Sequence, residues 1–161
     1  MSEARELDRR SLLRGGGLFA IAMVAAPGDA GAADCPSSPP SIAQPRERTP
    51  RGFMARAEAL RRQAVRAGDQ PFGAVVVRGG RVVGLGPSRV VTSADPTAHA
   101  EMEAIRDAAR RLRTRDLGGA ALYSTSPPCA MCETAASFAN IARLVVGPTL
   151  IDAGPPRYGG R

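Results

Sequence analysis

The chain has a single histidine, His99, standing two residues before Glu101, and further on two cysteines fall together in Pro128-Cys-Ala-Met-Cys132. One imidazole and two thiolates can share one divalent ion and leave its fourth tetrahedral position to water, the composition of a catalytic zinc site rather than a structural one. A lone histidine on a helix is ordinarily structural, and the cysteine pair is what changes its standing here. Cys-x-x-Cys at a helix start can also serve as a redox dithiol, but His99 and Glu101 have no part in that chemistry. Spacing leaves the acid–base partner open. Residues at i and i+2 diverge on a regular helix, so His99 would share a face with Glu103 rather than with Glu101.

The surrounding elements follow from pattern. Thr49-Pro50 reads as an N-cap with proline in the first turn, and Phe53, Ala57, Leu60 and Ala64 recur at helical spacing up to Gly68. Phe72 to Val77, the turn Gly79-Gly80 and Arg81 to Leu85 read as a β-hairpin. Asp95-Pro96 is expected to cap a second helix over about 97–112, with Met102, Ile105 and Ala109 as its buried stripe. Residues 120–124 form a third strand, 128–140 a third helix and 142–146 a fourth strand. This order predicts an α/β protein, a three-layer α/β/α sandwich on a mixed sheet. Both halves of the chemical motif then stand at helix starts, whose partial positive ends favour thiolates and anionic intermediates.

Ahead of these elements, Arg9-Arg10, the apolar run through Leu18, Phe19, Ile21, Met23 and Val24, and the small residues Ala30-Gly31-Ala32-Ala33 read as a twin-arginine-type signal peptide over residues 1–33. A long amphipathic helix is excluded there by Gly15-Gly16-Gly17 and Pro27-Gly28. The apolar run is too short to span a bilayer. The expected location is the periplasm, reached in the folded state. Residues 34–48, with Pro36, Pro39, Pro40 and Pro45 among serines, are expected to be a disordered linker that includes Cys35 as a tail residue, and residues 49–161 the domain itself.

Composition narrows the reading only slightly. The length of 161 residues suits one domain, and 4% aromatic content without Trp implies a core of Ala, Val, Leu and Ile. The net charge of +7 comes entirely from arginine. The arginines are scattered along helices without interleaved aromatics, the pattern of solvated faces rather than of a nucleic-acid surface.

Three ordered motifs, Gln70-Pro-Phe-Gly-Ala74, Asp95-Pro-Thr-Ala-His-Ala-Glu101 and Pro128-Cys-Ala-Met-Cys132, give the region from Pro50 to Gly147 a resemblance to the cytidine deaminase-like superfamily. Within it the chain resembles guanine deaminases and bacterial tRNA adenosine deaminases. The resemblance implies Zn2+ held by His99, Cys129 and Cys132. It also implies a metal-activated water that attacks the amidine carbon of a base, and Glu101 as the group that moves the protons. It places Phe72 on the wall of the base pocket, the Ala100 N–H on a substrate carbonyl or ring nitrogen, and Ser88 where the family has an asparagine that contacts base or ribose. The implied partner is a small nucleobase or nucleoside, a purine such as guanine by the wording around His99; export argues against nucleic acid, and tRNA adenosine deamination is the alternative if the chain is not exported. The chain departs from the family at Ser88, at Pro127 in place of a usual glutamate, and in a C-terminus shortened to residues 148–161, which allows an inactive or binding-only relative as the alternative. An uncovered edge at the fourth strand would invite pairing into a homodimer.

Overall fold

Thr49 caps the first helix, its hydroxyl accepting from the Gly52 N–H at 3.2 Å with Pro50 in the first turn. This helix, α1 (Pro50–Arg66), buries Phe53, Met54, Ala57, Leu60 and Ala64. The computed structural model describes residues 39–157, so the export signal expected over residues 1–33 and Cys35 lie outside the described part. Elements then follow in the order β1 (Gly73–Arg78), β2 (Arg81–Pro87), α2 (Ala100–Leu112), β3 (Ala121–Ser124), α3 (Ala130–Phe138), β4 (Arg143–Val146) and β5 (Ile151–Gly154). Among the described residues no helix is long and apolar enough to cross a membrane.

The strands form one mixed sheet in the order β2-β1-β3-β4-β5. Only β3 and β4 run parallel; β1 is antiparallel to both its neighbours and β5 is antiparallel to β4. Side chains alternate across a strand, and this sheet uses both faces. Ala74, Val76, Leu122 and Leu144 join Ala100, Ala104, Ile105 and Ala136 of α2 and α3 in one buried cluster. Val75, Val77, Tyr123 and Val145 join Phe53, Ala57 and Leu60 of α1 in another. The three layers are therefore α1, the sheet, and α2 with α3, as the sequence predicts.

Four local expectations are corrected. The second helix begins at Ala100 and not at Thr97, because Asp95 spends its carboxylate on a turn, accepting from the Thr97 N–H at 2.8 Å and the Thr97 hydroxyl at 2.7 Å. Its buried stripe is Ala100, Ala104, Ala108 and Ile105, while Met102 and Ala109 are only partly buried. Small residues are needed on that stripe because α2 lies directly on β2, where a Cβ at Gly86 would overlap the Ala100 carbonyl and one at Gly84 the Ala104 carbonyl. The short tail adds a fifth strand, so the fourth strand is not an edge. Finally, residues 39–48 have no helix or strand, yet they are tied to the domain: the Gln44 amide accepts from the Val82 N–H at 2.8 Å and donates to the Val82 carbonyl at 2.9 Å, and Arg111 reaches the Pro40 carbonyl.

Candidate metal centre and active site

His99 and Cys129 are the N-cap residues of α2 and α3, both with extended backbone (φ −62°, ψ 153° and φ −74°, ψ 170°) and neither with a side-chain capping bond. An N-cap without Ser, Thr, Asp or Asn costs about 0.5–2 kcal/mol, so both helices give up stability at the residue that carries a donor atom. The extended backbone of His99 also removes the difficulty of its spacing. Because His99 stands outside the helix and Glu101 in its first turn, the i, i+2 divergence of a regular helix does not apply.

The three donors converge. His99 Nδ1 lies 3.7 Å from Cys129 Sγ and 3.6 Å from Cys132 Sγ, and the two sulfurs are 3.6 Å apart. Zinc with tetrahedral bonds of about 2.3 Å to sulfur and about 2.05 Å to nitrogen requires donor edges of roughly 3.8 and 3.6 Å, which this triangle meets. Cys132 is fully buried and Cys129 exposed, so the metal position faces solvent on one side only. Burial, the Glu101 carboxylate and the Cys129 sulfur all push the Cys132 thiol up, the condition of a donor pair whose anionic form needs a cation beside it. A nitrogen and two sulfurs select a zinc-like ion over hard, oxygen-seeking cations.

Glu101 is 4% exposed, with Oε2 3.6 Å from Cys132 Sγ and Oε1 accepting from the Ser124 hydroxyl at 2.6 Å. Glu103, the competitor by spacing, pairs with Arg106 at 2.8 Å. The carboxylate at the donor triangle is therefore Glu101. Arg106 also donates to the Thr97 hydroxyl at 3.2 Å and so braces the turn that delivers His99.

The expected substrate contacts divide. Phe72 is 37% exposed and belongs to neither buried cluster, so simple core packing does not account for it. Ala100 is the first helical residue, where a backbone N–H has no intrahelical acceptor, and it is fully buried. Ser88 is 2% exposed, and its hydroxyl donates to Asp69 at 2.8 Å. Asp69 is a residue the sequence reading missed. Burial alone would raise its carboxyl, but bonds from the Thr92 N–H, Ser88, the Gln70 N–H and the Thr92 hydroxyl hold it well below the usual carboxylate range. It thereby fastens the end of α1 to the loop carrying Ser88. Ser124 was missed as well; its only signal is a small polar residue closing an apolar strand just before the cysteine loop.

Comparison with known proteins agrees with this geometry. Residues 47–148 match the family model of the cytidine and deoxycytidylate deaminase zinc-binding region. The chain belongs to that deaminase family. It is 46% identical over 81 residues to the guanine deaminase of Bacillus subtilis, which covers 50% of this chain and 52% of that protein. It is 40% identical over 84 residues to the tRNA-specific adenosine deaminase of Aquifex aeolicus, covering 52% and 56%. The chain thus spans about half the length of these curated relatives. Among solved structures, the B. subtilis guanine deaminase superposes with a TM-score of 0.57 at 41% identity, covering 59% of this chain and 61% of that one. A structure from a study of tRNA:A34 deaminases gives 0.59 at 37%, covering 66% and 91%. Family and donor set agree on Zn2+ as the cofactor.

Proposed function

We propose that this deaminase-family chain hydrolyses the exocyclic amine of a nucleobase or nucleoside, a purine such as guanine being favoured, and releases ammonia. The observation that carries the reading is a buried carboxylate, Glu101, whose Oε2 lies 3.6 Å from one sulfur of a His-Cys-Cys donor triangle. His99, Cys129 and Cys132 would hold zinc, which would supply Lewis acidity toward the nucleophilic water. Glu101 accepts one proton from the attacking water and passes it to the ring nitrogen as the C–O bond forms, then takes the second from the new hydroxyl group and delivers it to the amine, which leaves as ammonia as the C–N bond breaks. The Ala100 N–H holds a substrate carbonyl or ring nitrogen, and Phe72 walls the base. Ser88 acts through Asp69, holding the loop rather than the substrate.

The paired arginines and apolar run of residues 1–33 support export of the folded chain to the periplasm, which favours a free base over tRNA. The exposed β5, with Ile151 60% exposed, supports pairing with a second copy. The inward turn of Ser88 favours one competing reading, an inactive or binding-only relative that keeps structural zinc. Ammonia release over a panel of bases and nucleosides, with a tRNA anticodon arm alongside, separates the readings. Glu101→Ala is expected to slow release by about 10²- to 10⁴-fold at unchanged zinc content. Equal rates for wild type and variant would defeat the enzyme reading, and turnover of the anticodon arm alone would move the substrate to tRNA.

A further inference from the structure

One polar side chain at this site has no part in the mechanism above. Ser124 is 1% exposed at the end of β3, and its backbone is clamped on both sides, opposite Ala74 on β1 and Val146 on β4. Its hydroxyl lies 2.6 Å from Glu101 Oε1, within ordinary hydrogen-bond distance of a hydroxyl donor. The Ser126 N–H donates to Ser124 Oγ at 3.4 Å, which occupies a lone pair and leaves the hydroxyl proton for the carboxylate. The terminal torsion of a glutamate is broad and roughly two-fold, so an unheld carboxylate would turn freely. Here one oxygen is tied to the sheet while the other faces Cys132 Sγ at 3.6 Å.

From this we infer that Ser124 is a positioning residue: it fixes Glu101 Oε1 from the sheet and so aims Oε2 at the reacting centre. The inference rests on the role given to Glu101 in the proposed deamination. It assigns the rigid middle layer, and not the helix that carries the glutamate, the task of orienting the proton carrier.

The test uses the zinc-loaded full chain. Ser124→Ala is expected to lower kcat for ammonia release roughly 10- to 100-fold, as loss of an outer hydrogen-bond partner does at metal sites, with KM and zinc content held. Ser124→Thr keeps the hydroxyl and adds a methyl to a filled position, so it disturbs packing more than alanine does. Recovery of kcat by threonine therefore reports the bond and not the packing. An unchanged kcat in Ser124→Ala, or a threonine variant as slow as alanine, would overturn the inference. A second measurement needs no turnover: melting temperatures of the metal-free chain in a cycle of Ser124→Ala and Glu101→Ala. Ser124→Ala is expected to lower the melting temperature in the wild-type background and much less once Glu101 is gone, and additive shifts would count against the pairing. If wild type releases no ammonia from any base, the deamination reading fails, while the cycle still decides whether Ser124 holds Glu101.

Discussion

Asp69 collects five hydrogen bonds on two carboxylate oxygens, from Gln70, Ser88, Val91 and twice from Thr92. All five favour the ionised form, and its carboxyl is held low despite burial. A carboxyl depressed in the folded state contributes stability above its unfolded value of about 3.9 and loses that contribution as pH falls toward the folded value. Wild type is therefore expected to melt higher than Asp69→Asn at neutral pH, with the gap narrowing from about pH 4 downward in melts across a pH series. A constant gap would show that the carboxylate charge is not what matters. Residues of this kind separate what was legible in the sequence from what was not. His99, Cys129 and Cys132 were legible because their side-chain types define the chemistry, whereas Glu101 was readable only through the family resemblance, spacing alone having pointed to Glu103. Asp69 and Ser124 were not, because their meaning lies in partners 19 and 23 positions away that only the folded chain brings close.

Between elements, the contact that matters most is the seam of α2 on β2, built from Ala100, Ala104 and Ala108 against Gly84 and Gly86. Overfilling a closed contact costs about 1–3 kcal/mol, so Gly86→Ala is expected to lower the melting temperature by several degrees. The same substitution presses on the Ala100 carbonyl, one residue from both His99 and Glu101, so zinc content after dialysis is expected to fall with it. A melt matching wild type would show that the helix adjusts freely. Helix α1, the hairpin and the existence of the third and fourth strands were readable from hydrophobic period and turn chemistry, while the parallel pairing of β3 with β4 was not read. The start of α2 was misplaced because Asp95 served a turn and not a cap. Strand β5 left no signal, since four residues in a Gly- and Pro-rich tail become a strand only by pairing with β4.

Across the whole molecule, the donor triangle ties the starts of α2 and α3 together over the sheet, at two helix ends that have no side-chain caps. An ion that binds only the folded chain adds to its stability by mass action. Chelation is expected to lower the melting temperature of wild type, and Cys129→Ser, with one ligand weakened, is expected to bind less zinc and to respond less to chelator in parallel melts and metal analysis. A chelator effect of equal size in both would place the stabilising ion elsewhere. Gln44 has a consequence at the other side of the sheet. Its amide takes both polar groups of Val82, and Asp107 takes the Leu85 N–H at 3.0 Å, so three backbone groups of β2 are already bonded within the chain. If β5 pairs with a second copy, as proposed above, a body extended at only that end would join with one more of its kind and stop, making a closed pair rather than a fibre.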